Sequence, residues 1–173
     1  MGGPQKSGKG HGLHPAIKDP KPEAIVVYCS DPRFQTAFER FVRDDLGLPV
    51  GRHIAIVVGG GAALLGHPET LPRDFRFLRE RIDHYRKKAF PSVRRLILIN
   101  HENCRFYQSL KEKGLGFVRT QDMLEDRPQE DLAAVAEALA KWYTDLTLTV
   151  ELYYARFANA EQTTVAFERV AGK

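Results

Sequence analysis

Ala24-Ile-Val-Val-Tyr-Cys29-Ser-Asp31-Pro-Arg33 carries an unbroken apolar run straight into a thiol, a carboxylate and a guanidinium. A run rich in β-branched residues, with no polar alternation, suits a strand buried on both faces, as in a parallel sheet. Arg95-Leu-Ile-Leu-Ile-Asn100 repeats the pattern and runs into His101-Glu-Asn-Cys104. Between them, His53-Ile-Ala-Ile-Val-Val58 reads as another strand of the buried type. It opens onto Gly59, Gly60 and Gly61, where the backbone can turn sharply or approach a ligand.

Helical periodicity fills the intervals. Residues 35–46 place Phe38, Phe41, Val42 and Leu46 on one face and stop at Gly47 and Pro49. Residues 74–88 do the same with Phe75, Leu78, Ile82 and Tyr85. A helix is predicted over 106–113, closed by Gly114, and another over 128–143, opened by Pro128. Residues 147–157 and 163–170 are β-rich and read as a terminal hairpin joined by 158–162. Strands alternating with helices predict an α/β fold: a mainly parallel sheet flanked by helices, with a C-terminal antiparallel hairpin at its edge. Ligands bind such sheets at the C-terminal ends of the strands, where both cysteine-bearing segments lie.

The 173 residues, 43% hydrophobic and 28% charged, predict one α/β domain over 23–173 behind a flexible arm over 1–22. His11 and His14 in that arm lack thiol or acidic partners and read as polar arm residues. A domain of this size folds without disulfides or a structural metal. Two cysteines make no disulfide framework, so a reducing cytoplasm is the expected location, and no apolar run is long enough to cross a bilayer. The net charge of +4 comes from Lys6, Lys9, Lys18 and Lys21 in the arm and from the basic residues of 73–88. Those are interleaved with Asp74, Glu80 and Asp83, which predicts a solvated helix face rather than a nucleic-acid site.

Cys29, His101 and Cys104 make a borderline-soft donor set that suits tetrahedral zinc, and three protein ligands leave a fourth position open, as in catalytic sites. Asp31 stands two residues from Cys29 and two from Arg33. Its carboxylate can orient a group bound to the metal while Arg33 keeps it ionised, or it can bind the metal itself and close the site. Taken singly, a strand-end cysteine is a small hydrophobe, a histidine a satisfied polar group, and an Asp–Arg pair a structural ion pair. Their convergence at strand ends favours the metal reading. Gly59–Gly61 lacks the spacing of a dinucleotide fingerprint and reads as a close-packed turn under the metal site, with Gly59, Gly60 and Gly61 as substrate-pocket residues that offer backbone N–H groups or room for the substrate. A thiol nucleophile at Cys29 is the weaker reading, because Cys104, three residues after His101, is better explained by a metal.

Cys29-Ser-Asp31-Pro-Arg33 with His101-Glu-Asn-Cys104 resembles the Cys-x-Asp-x-Arg and His-x-x-Cys pair of the β-class carbonic anhydrases, over roughly residues 24–110 in order. The resemblance implies zinc held by Cys29, His101 and Cys104, an Asp31–Arg33 dyad, and hydration of carbon dioxide to bicarbonate. It also implies a homodimer or dimer of dimers, to which Phe34, Phe38, Phe41, Phe106 and Tyr107 would lend apolar surface if they are not core. Relatives of that fold hydrolyse carbon disulfide or carbonyl sulfide, and a zinc-binding module without catalysis is a further alternative. The chain departs from the family pattern in four places. Gly59-Gly60 stands where the family has Arg-Asn, Arg105 replaces the small residue after the last cysteine, the glutamine many members carry before the first cysteine has no counterpart, and 66–73 reads as an insertion.

Overall fold

The computed structural model describes residues 14–66, 68–69, 71–112, 123–144 and 147–170. Five strands form one sheet in the order β2-β1-β3-β4-β5. Strands β1 (Ala24–Cys29), β2 (His53–Val58), β3 (Arg95–His101) and β4 (Thr149–Phe157) run parallel, and β5 (Val165–Val170) returns antiparallel along β4. The predicted architecture, hairpin included, is the one observed.

The central strands explain their own sequences. Every residue of β1 is buried, as is all of β3 after Arg95, because helices cover both faces of the sheet. On one face lie α1 (Gln35–Arg40) and its π-helical continuation Phe41–Asp45, whose Phe38, Phe41 and Val42 pack with Phe34 and Leu48 against Val26, Tyr28, Ile97 and Ile99. On the other lie α2 (Pro72–His84) with its π-helical continuation Tyr85–Ala89, and α4 (Met123–Trp142). Leu78, Ile82, Leu132, Val135 and Leu139 from these helices meet Ile25, Val27, Leu96 and Leu98. Each fully buried leucine or phenylalanine contributes about 1.5–3 kcal/mol by leaving water.

Three expectations change. Strand β2 is not buried on both faces: it is a sheet edge in which only Ile56 is buried and Val57 is 42% exposed. Its even positions pack toward the α2–α4 layer, but α1 does not extend over the opposite face. Helix α4 starts at Met123, so Pro128 lies inside it; helix formers such as Met and Leu before the proline extend the helix upstream. Phe34, Phe38, Phe41 and Tyr107 belong to the core rather than to an apolar surface. The helix after Cys104 is α3 (Arg105–Glu112); Gly114 lies outside the described residues, as does the arm up to residue 13. From His14 to Lys21 the arm is exposed and without regular structure. No described helix is long and apolar enough to cross a membrane.

Candidate metal centre

Parallel pairing of β1 with β3 brings their C-terminal ends together. Cys29 is the last residue of β1, and the turn beyond it is tied down by backbone and side chain. Ser30 N–H donates to Val58 O at 3.1 Å and Phe34 N–H to Asp31 O at 3.2 Å. The Gln35 amide donates to Cys29 O at 2.8 Å and to Asp31 O at 3.0 Å. In the sequence Gln35 marks only the start of the predicted helix over 35–46. Its signal was slight: an amide side chain one turn past a motif rich in backbone carbonyls.

At the end of β3, Glu102 N–H donates to Ala155 O at 3.0 Å and the Glu102 carboxylate accepts from Phe157 N–H, so β4 braces the turn. Asn103 takes a left-handed backbone (φ +51°) and delivers Cys104 to the start of α3. Nδ1 of His101 lies 2.7 Å from Glu102 O, a contact that makes Nδ1 the protonated nitrogen and leaves Nε2 with its lone pair. Nε2 is buried without a hydrogen-bond partner. The ring is held by Phe34, centroid to centroid 4.2 Å.

The donor atoms of Cys29, His101 and Cys104 all lie within 4.8 Å of one another, and all three residues are buried. The two sulfurs are 3.7 Å apart as free cysteines. The hydrogen bond from Cys104 outweighs burial and pulls the Cys29 thiol down to about 4, with His101 adding to the effect. The same contact, with burial, pushes Cys104 above its ordinary value. Two buried sulfurs beside an imidazole nitrogen without a hydrogen-bond partner are a donor set that fits a metal ion, which would give Nε2 its missing partner.

Asp31 stands outside that set. Its Oδ1 accepts from the Arg33 backbone N–H and from Nε, both at 3.0 Å, and Oδ2 accepts from Nη2 at 2.7 Å. Nη2 also donates to Asn103 O at 2.7 Å, so one guanidinium links the two cysteine-bearing turns. Burial alone would raise the Asp31 carboxyl, but these Arg33 hydrogen bonds hold it below the usual carboxylate range. The arrangement is the one in which Arg33 occupies the carboxylate.

Gly59, Gly60 and Gly61 form the turn after β2. A Cβ on Gly61 (φ +55°) would sit 3.0 Å from Cys29 N and 3.2 Å from Ile99 O, so this glycine lets the chain lie on the backbones of β1 and β3. Gly60 (φ +83°) and Gly59 lie under the ring of Phe106.

No family model and no curated protein matches this sequence. Solved structures do match in fold. β-Carbonic anhydrase isoform I from the protozoan Trichomonas vaginalis superposes with a TM-score of 0.55 at 16% identity, covering 93% of this chain and 88% of that one. The fold is that of the β-carbonic anhydrases. Two tetrameric β-carbonic anhydrases from the ascomycete Sordaria macrospora are represented at a TM-score of 0.47, 14% identity, and 88% and 84% coverage. A carbon disulfide hydrolase follows at 0.35, 13% identity, and 84% and 78% coverage. At such identities the likeness is one of fold, and what the chain does must be argued from its site.

Proposed function

We propose that this chain is a zinc lyase that hydrates carbon dioxide reversibly to bicarbonate and a proton, with Cys29, His101 and Cys104 as the zinc ligands. The observation that carries the reading is the buried, unpartnered Nε2 of His101 within 4.8 Å of two thiols. Zinc held by this set supplies a Lewis acid that brings the ionisation of water to about pH 7. The residues of the chain do the rest. Glu102 O keeps the His101 lone pair on Nε2. Asp31, ionised and so only an acceptor, takes a hydrogen bond from the attacking hydroxyl and aims its lone pair at the substrate carbon. Arg33 keeps Asp31 ionised and off the metal. The proton leaves to buffer.

A stopped-flow indicator assay on zinc-loaded protein tests the reading, and rates no higher than buffer alone would end it. A second reading, hydrolysis of carbon disulfide or carbonyl sulfide, is favoured by Gly59-Gly60 standing where the carbonic anhydrase pattern has Arg-Asn, and hydrogen sulfide release would identify it. Full zinc occupancy without turnover of any of these substrates would leave a non-catalytic zinc module. We place the protein in the cytoplasm as a homodimer or dimer of dimers. Its free thiols suit a reducing compartment, and the outer edge of β2, which pairs only with β1 among the described strands, can be covered by a second copy. A monomer by light scattering at micromolar concentration would remove the assembly claim.

A further inference from the structure

We propose that Phe106 is the specificity-determining residue of this centre, its ring forming an apolar wall that admits a narrow, uncharged heterocumulene such as carbon dioxide and excludes the wider sulfur-bearing ones. The proposal rests on the metal reading above. A Cβ added at Gly60 would lie 2.5 Å from Phe106 Cδ1 and 2.7 Å from Cε1, and one added at Gly59 would lie 3.2 Å from Cδ2. The ring therefore occupies the volume that two side chains would otherwise fill. Gly60 has a backbone reason to be glycine (φ +83°), but Gly59 has no left-handed φ, and the ring alone accounts for its missing side chain.

Placement relative to the metal ligands gives the ring its role. Phe106 packs against the small cluster of Cys29, Ala63, Cys104 and Tyr107 and also against the core under α2 and α4. It is only partly buried. Neither Phe106 nor Ala63 has a side-chain hydrogen-bonding group. A wall of this kind holds a linear apolar molecule by dispersion and gives a charged product nothing to bind. Its position is set by the rigid start of α3, two residues past Cys104, so its distance from the ligands is fixed by covalent structure and helix geometry.

The test is Phe106→Ala in the zinc-loaded full chain, with Phe106→Leu as the milder variant. Carbonyl sulfide plus water gives carbon dioxide and hydrogen sulfide, so sulfide release can be compared with carbon dioxide hydration. Removing the ring should raise the ratio of carbonyl sulfide to carbon dioxide turnover on the order of tenfold, within the range of pocket-size discrimination. A ratio unchanged in both variants, with zinc retained, would overturn the proposal. Calorimetric titration with azide and thiocyanate reads the same wall without turnover. Phe106→Ala should strengthen binding of the wider thiocyanate relative to azide, and equal ratios in wild type and variant would count against the wall. If wild type turns over no substrate while the anion ratio still shifts, the function reading fails and the wall stands. The thermal stability of the metal-free protein supplies a third measure. Gly60→Ala should lower Tm less in a Phe106→Ala background than in wild type, and equal losses in both would show that the ring does not rest on the glycines.

Discussion

The turns that leave β1 and β2 start side by side, with Cys29 in register with Val58, yet they are built in opposite ways. The first is held by its own side chains. Asp31, Arg33 and Gln35 bond one another and the backbone, and Arg33 reaches across to Asn103. The second has no side chains at all from Gly59 to Gly61, and its shape is set by what presses on it: the backbones of β1 and β3 below Gly61 and the Phe106 ring above Gly59 and Gly60. A turn that carries its own bonds keeps its geometry when a neighbour changes. A turn made of space fails when that space is filled. The two halves of one site should therefore respond differently to mutation.

The largest effect is expected at the donors. Cys29→Ser, His101→Ala and Cys104→Ser should each abolish zinc retention through a chelating column, because a site worth on the order of 10 kcal/mol loses much of that with one ligand. Stoichiometric zinc in Cys104→Ser, read by elemental analysis, would separate this cysteine from the metal. Asp31→Ala and Arg33→Ala should keep zinc and lose roughly 10–100-fold in turnover, since they orient groups around the metal without holding it. In Arg33→Ala the freed Asp31 can also bind the metal and close the site.

In the glycine turn the expected loss is in stability. Gly61→Ala places a methyl 3.0 Å from Cys29 N at φ +55° and should cost about 1–3 kcal/mol in denaturant unfolding. An unchanged midpoint would mean the turn relaxes freely. Gln35→Ala removes the donor to Cys29 O and Asp31 O, which lie in a half-buried setting, and should cost about 1 kcal/mol. The smallest effect is a pH dependence. Arg33 lowers the Asp31 carboxyl below its value in the unfolded chain, so the native state of the metal-free protein gains stability from Asp31 at pH above that unfolded value and loses it as pH falls through the lowered native one. Acid unfolding of Asp31→Asn should show a shallower slope in that window, and identical slopes would remove Arg33 as the cause.

Composition and pattern alone determined the layers of this protein and the chemistry to be proposed for it. The unbroken apolar runs at Ala24–Cys29 and Arg95–His101 required cover on both faces, and the helical stripes supplied it. The meeting of Cys29, His101 and Cys104 was legible because thiols and an imidazole at strand ends make a plausible donor set, and that of Asp31 with Arg33 because opposite charges two residues apart can pair. What only the tertiary structure decided was who stands next to whom. The run His53–Val58 looks like a central strand but ends at an edge, since periodicity counts apolar faces and does not say which of them a neighbour covers. The choice of His101 nitrogen depends on a backbone carbonyl, Gln35 acts on carbonyls that every residue possesses, and Gly59 and Gly60 are defined by a ring from another element. Backbone groups and empty space carry no residue-specific mark in a sequence, so their roles emerge only when the chain has packed.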